Sequence, residues 1–271
     1  MQITPTVKQL LIINILFFIG SQLVPVAETY FSLYAYQDDH FRFWQLITHM
    51  FMHGNIMHIF FNMFALYSFG SALEHFWGTK KFLFFYISCG IGAALMQMGI
   101  NYLELQYLLN STSVADMNLS STTMHQIVNT TISDKINYRP DLFETEIKTI
   151  LNNVGKLNLL TQESLNTFFK AAQQTQIPMV GASGAIYGLL VAFAFMVPNA
   201  ELALMFIPIP IKAKYFVPGL LLVDLVLGVS GNSIFGGASG IAHFAHIGGA
   251  LVGFLMMWYW KKTSFHGNRW D

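Results

Sequence analysis

Two polar residues, distant in the sequence, have the chemistry of a nucleophile and its base. Ser183 lies in the sequence GASG at 181–184, where an apolar segment begins, and His246 begins the sequence HIGG at 246–249. Histidine has the pKa needed to take a proton from a serine hydroxyl, and free N–H groups at a helix N-terminus can stabilise a developing anion. The pair predicts a reaction in which Ser183 attacks a carbonyl carbon and His246 takes the proton of its hydroxyl. The alternatives are a packing or capping role for Ser183 and a packed, hydrogen-bonded His246.

A second pair, His58 and Asn62, has the spacing of two residues on one helix face. Side-chain donors that point at one position suit an oxyanion hole. Metal binding is the alternative, because five histidines offer nitrogen ligands. These are His49, His53, His58, His243 and His246. Since no HExxH sequence or set of cysteine ligands occurs, we predict neither a metal site nor a cofactor.

The segments that hold these residues are apolar enough to cross a membrane. Hydrophobic residues make up 54% of the 271 residues and charged residues 10%, against roughly 25% charged in a soluble domain. Five stretches contain no Asp, Glu, Lys or Arg, and they are 9–27, 43–73, 82–103, 171–200 and 225–260. Because a spanning helix needs about 20 mostly apolar residues, we predict a multi-span membrane protein. Zero formal net charge gives no nucleic-acid footprint, and a single cysteine excludes a disulfide scaffold.

We predict an all-α membrane protein with six spanning helices. They cover about residues 10–24, 54–73, 81–100, 183–198, 215–228 and 241–260. The first could instead be a cleaved signal peptide, but Pro25 lies two residues before Ala27 and makes a poor cleavage site, so we expect this segment to stay. Residues 206–214, rich in proline and lysine, are predicted to form a loop.

Residues 101–178 differ in composition from the rest of the chain. They are rich in Asn, Gln, Ser and Thr and contain no run long enough to span. We predict a polar extramembrane insert between the third and fourth spans, with 1–100 and 179–271 forming the membrane domain. Its second half, about 141–172, has the apolar spacing of an amphipathic helix. Its first half is predicted to be irregular or disordered.

Positive charge predicts the orientation. Six spans put both termini on one side, which then holds eight basic residues, while the short loops of the other side hold only Arg42. The eight are Lys8, Lys80, Lys81, Lys212, Lys214, Lys261, Lys262 and Arg269. The termini are therefore predicted to be cytoplasmic. The second, fourth and sixth spans then begin at the outer face, where their polar residues would form one site.

Taken together, these motifs make the chain resemble the rhomboid intramembrane serine proteases. The matching elements are Trp44-Gln45, His49, His53, His58 and Asn62 around the second span, Glu74 and Gly78 after it, GASG at 181–184 with Tyr187 in the fourth span, and Ala245, His246, Gly249 and Gly253 in the sixth. The resemblance covers all six predicted spans and leaves out 101–178.

The resemblance implies a six-helix bundle that cleaves the transmembrane segments of membrane proteins in the bilayer, using a Ser–His dyad without a carboxylate or cofactor. It implies that Ser183 is the nucleophile and His246 the base, and that His58, Asn62 and the Ser183 N–H form the oxyanion hole. Tyr187 would pack on the catalytic imidazole. Gly249 and Gly253 would pack the sixth span against the fourth. We expect a bacterial inner membrane as the location.

Three features of the chain depart from this pattern or lie outside it. The family often has Trp-Arg where this chain has Trp44-Gln45, and Arg42 is the candidate to replace that arginine. Asp224 in the fifth span could be a third triad member, but a structural hydrogen-bonding role is favoured because no motif places it near His246. The glycine-rich loop 230–240, with Ile234 and Phe235, is predicted to act as a lid.

Two other functions fit the composition. A rhomboid-like pseudoprotease would bind membrane clients without cleaving them, and it would be expected to lack the serine or the histidine. A transporter would line a path with polar residues at the middle of the membrane, whereas here they cluster near one face.

Overall fold

A computed structural model describes residues 2–133, 137–204, 207–230 and 242–264. Helices dominate the described chain, with 3₁₀ turns at His49–Phe51 and Leu157–Leu159 and a π turn at Leu66–Gly70. The α-helices are α1 Pro5–Leu23, α2 Val26–Phe31, α3 Gln45–Thr48, α4 Ile56–Ala65, α5 Ser71–Trp77, α6 Thr79–Leu109, α7 Thr112–Ala115, α8 Ser121–Val128, α9 Pro140–Asn153, α10 Gln162–Gln176, α11 Ser183–Met196, α12 Ala213–Ser230 and α13 His243–Ser264. The strands are β1 Glu201–Leu204 and β2 Ile207–Lys212. The predicted lid falls, apart from Ser230, outside the described residues.

Among the described residues, four helical runs are long and apolar enough to cross a membrane. They are α1, the run Ile56–Trp77 that joins α4 to α5, α6 and α12. They lie at the first, second, third and fifth predicted spans, so the chain is an integral membrane protein. At the fourth position α11 is apolar but has 14 residues, or about 21 Å against a hydrocarbon core of about 30 Å. At the sixth, α13 is not among the four, and the count of six spans stays a prediction.

The chain divides into two compact units. The bundle unit consists of Met1–Ser32, Trp44–Gln97 and Val180–Asp271, and the insert unit consists of Leu33–Phe43 and Met98–Met179. The bundle unit packs α11 against α4, α5, α12 and α13. Because α11 is apolar on all sides, its buried residues, such as Ala185 and Leu189, face neighbours in every direction.

A carboxylate determines where α1 begins. The backbone N–H groups of Thr6 and Val7 each donate to Glu74, at 3.0 Å, and the Thr4 hydroxyl donates to the same carboxylate. These are N–H groups that the first turn of a helix cannot satisfy internally, and the negative charge complements the helix dipole. Pro5 at the first helical position needs no donor. The helix therefore starts at Pro5, before the predicted residue 10.

Residues 207–212 form a strand where a loop was predicted. Strand β2 pairs antiparallel with β1, with Glu201 opposite Lys212 and Leu202 opposite Ile211. Pro208 and Pro210 are two residues apart, so the N–H groups that they lack belong to one edge of the strand. The other edge forms the ladder. Alternating prolines are therefore compatible with a strand that is paired on one side, which the loop prediction overlooked.

The insert unit has its own apolar core. Val114 on α7, Ile127 on α8, Ile147 on α9 and Phe168 on α10 are all fully buried. The predicted helix in the second half of the insert is confirmed as α9 and α10. The predicted irregularity of the first half is wrong, because α7 and α8 lie there. Its polar residues act partly as caps, as Ser120 does for α8, and not only as signals of disorder.

Candidate active site

The chain reverses into α11 through a glycine that no other residue replaces without strain. Gly181 has a φ of +119°, which disfavours residues with a Cβ. Its N–H donates to the carbonyl of His49 at 2.9 Å. Ser183 follows as the first residue of α11 and is partly buried. Because the first N–H groups of a helix have no internal partner, the Ser183 N–H is free of any helical hydrogen bond.

The Ser183 hydroxyl and the His246 imidazole are within hydrogen-bond distance. Ser183 Oγ lies 2.8 Å from His246 Nε2, the separation at which a base takes a hydroxyl proton. The ring of Tyr187, one turn after Ser183 on α11, stacks on the imidazole with centroids 4.2 Å apart and planes 11° from parallel. The stacking on Tyr187 holds the plane of the His246 ring, and the hydrogen bond with the Ser183 hydroxyl holds its Nε2 edge.

Glycines allow α13 to approach α11 closely enough for this contact. A Cβ built on Gly249 would collide with the carbonyl of Gly184, and one built on Gly253 would lie 2.8 Å from the Cα of Gly188. On another face of α13, a Cβ on Gly248 would lie 2.8 Å from the carbonyl oxygen of Gly92 on α6. Small residues at such contacts allow backbone-to-backbone packing of membrane helices.

No sequence motif places Asp224 near His246, which is why a structural role was favoured for it, but the structure brings the two side chains together. Asp224 Oδ1, on α12, lies 3.0 Å from His246 Nδ1 and 2.6 Å from His243 Nδ1. Sequence reasoning missed the arrangement because no periodicity shows which helix α12 faces. A signal was available, since a carboxylate within an apolar segment usually has a specific partner.

His58 and Asn62 converge on the backbone just before Ser183. A Cβ built on Gly181 would lie 2.6 Å from His58 Nε2 and 3.6 Å from Asn62 Nδ2. The N-cap residue of α4, Asn55, positions this turn by accepting the His58 N–H at 2.8 Å. Asn62 Nδ2 is buried and has no hydrogen-bond partner among the described residues. Such an unpaired donor costs about 1–3 kcal/mol and is available to an incoming oxygen.

Two further histidines lie on the segment that precedes α4. His49 Nδ1 donates to the Gln45 carbonyl at 2.8 Å, and burial lowers the pKa of His49 to about 4. The ring of His53 lies 5.0 Å from that of His58. The hydrogen bond of His49 therefore orders this segment.

The segment is tied to the residues after α1 without the arginine that is common in the family. Trp44 Nε1 donates to the Tyr30 carbonyl at 2.9 Å, and Gln45 Nε2 donates to the Thr29 carbonyl at 3.2 Å. Arg42 donates instead to the carbonyls of Asp39 and Phe41 in its own loop. Gln45 therefore helps to tie this segment to the residues after α1.

Two of the five histidines considered as metal ligands in the sequence, His243 and His246, come together with Asp224. Among the described residues, Asp224, His243 and His246 have ligand atoms within 4.8 Å of one another. This set could hold a metal ion. Its oxygen and two of its nitrogens are already joined by the hydrogen bonds described above, so we assign it no metal.

Comparisons with known proteins agree with the motifs. The family model described as the Rhomboid domain matches residues 40–109 and 149–263, which is more than half of the chain. An uncharacterized mitochondrial rhomboid protein of Schizosaccharomyces pombe is 26% identical over 231 residues, covering 83% of this chain and 53% of its own length. The chain thus spans about half the length of that relative.

Two other relatives match shorter parts. The mitochondrial rhomboid protein 1 of Saccharomyces cerevisiae is 33% identical over 86 residues, which is 32% of this chain and 23% of the relative. The rhomboid protease GluP of Bacillus subtilis is 38% identical over 52 residues, 19% and 10% respectively. Two of the three relatives are mitochondrial by name, which conflicts with the expected bacterial location, and we withdraw that expectation. The family model matches over more than half of the chain and includes the segments that carry the serine and the histidines, and the chain belongs to the rhomboid family.

Proposed function

We propose that this chain is an intramembrane serine endopeptidase that cleaves the transmembrane segments of membrane proteins by a Ser–His mechanism. The observation that carries the proposal is the 2.8 Å contact between Ser183 Oγ and His246 Nε2 at the start of α11. Membership of the rhomboid family and the name of the Bacillus relative, a rhomboid protease, support it. Substrates are membrane proteins, and the bilayer is the medium in which they meet the enzyme.

The proposed reaction begins with attack by Ser183. Its Oγ forms a bond to the scissile carbonyl carbon while its proton passes to His246 Nε2. The tetrahedral intermediate collapses, the carbon–nitrogen bond breaks, and the imidazolium gives its proton to the leaving amine. A water molecule then attacks the acyl-enzyme, with its proton taken by His246, and the second tetrahedral intermediate releases Ser183 and the carboxylic acid product.

The negative charge on the carbonyl oxygen is met by donors already in place. His58 and Asn62 converge near Gly181, two residues before Ser183, whose N–H is proposed as the third donor, and Asn62 Nδ2 has no partner among the described residues. Preorganised donors of this kind cost no reorganisation during the reaction, and one of them is worth roughly 10²–10³ in rate. Tyr187 is proposed to hold the imidazole plane by stacking.

The proposal includes the topology that the sequence predicts. Six spans with cytoplasmic termini would place the starts of α4, α11 and α13 near the outer face, together with the site residues they carry. Residues 1–100 and 179–271 would form the protease domain and 101–178 the polar insert. The insert unit supports this division because it has a separate core, although it also includes Leu33–Phe43.

Purified protein in lipid vesicles tests the proposal. A panel of single-span substrates with different transmembrane segments is incubated with wild type and with Ser183→Ala. We expect cleavage of at least one substrate by wild type and none by the variant at matched folding and insertion. Binding without cleavage by wild type would support the pseudoprotease instead. Cleavage by Ser183→Ala above a few per cent of wild type would show another nucleophile.

A further inference from the structure

We propose that Asp224 orients the catalytic base His246. This chain would then use a Ser–His–Asp triad, whereas the family implies a Ser–His dyad. The inference rests on the proposed function, since it assigns a role toward the same base. The observation behind it is that one carboxylate oxygen lies 3.0 Å from the ring nitrogen of His246 opposite the one that meets Ser183.

The carboxylate stands out within its helix. Asp224 is 5% exposed, while its neighbours Val223 and Leu225 are each 45% exposed on the apolar surface of α12. Removing a carboxylate from water has a cost of several kcal/mol unless strong partners compensate for it. The partners of Asp224 are His243 and His246, both on α13. The buried carboxylate of Asp224 is therefore energetically costly, and one of its contacts is with the proposed base, His246.

The hydrogen bond determines which ring nitrogen carries the proton. An ionised carboxylate can only accept, so His246 Nδ1 must donate to Asp224. In the neutral ring Nε2 then has a free lone pair, which accepts the Ser183 hydroxyl proton. The opposite tautomer would place a proton on Nε2 and block that step. When His246 becomes positively charged during the reaction, the same carboxylate stabilises it.

The carboxylate is itself held by a second group on α13. His243 lies 2.6 Å from the same oxygen, and its ring is turned 88° from that of His246. We therefore infer that His243 orients Asp224 and acts one step further from the reaction than Asp224 does.

A merely structural link between α12 and α13 is the rival explanation. The two helices already pack through apolar contacts, since Val217 and Ala250 share a buried cluster, and the aromatic ring of Phe244 covers Gly228. Replacing Asp224 by Asn keeps the side-chain shape and should leave that packing intact. If Asp224 is only a structural link, Asp224→Asn should lower the thermal stability. If Asp224 positions His246, the same substitution should change the tautomer of His246 and lower kcat.

The experiment compares wild type, Asp224→Asn, Asp224→Ala and His243→Gln in lipid vesicles, with Leu225→Ala as the matched control on α12. We expect Asp224→Asn and Asp224→Ala to lower kcat by about 10²–10⁴, with KM and melting temperature close to wild type. His243→Gln should lower kcat less than either. Leu225→Ala should keep wild-type kcat. Ser183→Ala is measured in parallel, because cleavage by that variant would overturn the proposed function itself.

Nuclear magnetic resonance of ¹⁵N-histidine protein reads the tautomer directly. In wild type the His246 signals, assigned by their loss in His246→Ala, should show a protonated Nδ1 and an unprotonated Nε2. Asp224→Asn should shift this population toward a protonated Nε2. The wild-type spectrum alone keeps the inference testable if the Asp224 variants fail to fold, because a protonated Nε2 there would overturn it.

Three other outcomes would overturn the inference. Near wild-type kcat in Asp224→Asn, or a loss of activity matched by a loss of folded protein with unchanged His246 signals, would leave Asp224 a structural residue. Inactivation of wild type by EDTA, reversed by added Zn²⁺, would make Asp224, His243 and His246 a metal centre.

Discussion

The bundle unit leaves large apolar side chains on its surface as well as in its core. In the bundle unit large residues lie on the surface, such as Leu16 at 62% exposed on α1 and Trp258 at 55% on α13. In the insert unit Phe143, Ile147 and Phe168 are at most 1% exposed and form a closed core. The insert unit thus buries apolar side chains in a core of its own, as the core of a water-soluble domain does. The bundle unit keeps its apolar surface for lipid.

Polar side chains differ between the units in the same way. Those of α8, α9 and α10 cap helices or lie at the surface, as in the capping box of Thr161 and Ser164. Those of the bundle unit are few and converge, so that Asp224, His243 and His246 lie within one hydrogen-bonded group. Lipid gives helices little hydrophobic reason to associate, so close packing and polar contacts must do so. Chemistry is therefore expected in the bundle unit alone, and four variants test that contrast.

Asn62→Ala should have the largest effect among these four. The loss of one oxyanion donor is expected to lower kcat by roughly 10²–10³, with the melting temperature unchanged or raised because an unpaired buried donor is removed. Cleavage rates at matched expression check this. A loss as great as that of His246→Ala would mean that Asn62 does more than bind the oxyanion.

Gly249→Val should damage the site by geometry alone. Its side chain would meet the backbone of Gly184 and push α13 from α11, and a displacement of about 1 Å can lower the rate about 10²-fold. Gly219→Val is the matched control, because nothing lies within 4 Å of a Cβ built there. Equal activity of Gly249→Val and Gly219→Val would show that the close contact between α11 and α13 is not needed for cleavage.

Ile147→Ala should destabilise the insert unit and leave the active site of the bundle unit unchanged. The residue is fully buried in the insert core, and its truncation is expected to destabilise that unit by about 2–5 kcal/mol. Proteolysis within the insert should become faster, while a small fluorophosphonate should label Ser183 at the wild-type rate. Leu142→Ala, at a position 44% exposed, serves as control. A parallel fall in labelling would contradict the separation.

The smallest expected effect concerns pH. Burial lowers the pKa of His49 from its ordinary value of 6.5 to about 4, so the unfolded chain binds more protons between those values. The free energy of unfolding should therefore fall as the pH drops from about 6.5 to about 4, by at most about 3 kcal/mol from this residue. His49→Gln should flatten that part of the stability curve, and His75→Gln should not. An unchanged slope in His49→Gln would show that this residue is not the cause.

The sequence predicted the parts of this molecule that depend on local pattern. Four apolar runs became helices of spanning length because lipid requires a continuous apolar surface, and the motif residues Ser183 and His246 meet at 2.8 Å. The partner of Asp224 was missed because it depends on how α12 faces α13. The prolines of β2 were interpreted as signs of a loop, but their alternate spacing is compatible with a strand paired on one edge. The polar residues around α8 were interpreted as signs of disorder, but Ser120 caps that helix.

The most direct test of the account is where a fluorophosphonate reacts. Wild type, Ser183→Ala and His246→Ala are labelled in lipid vesicles, and mass spectrometry of the digested protein locates the adduct. The account predicts one adduct on Ser183 in wild type, none in Ser183→Ala, and labelling slowed by about 10³-fold or more in His246→Ala. An adduct on another residue, or labelling of His246→Ala at the wild-type rate, would contradict it.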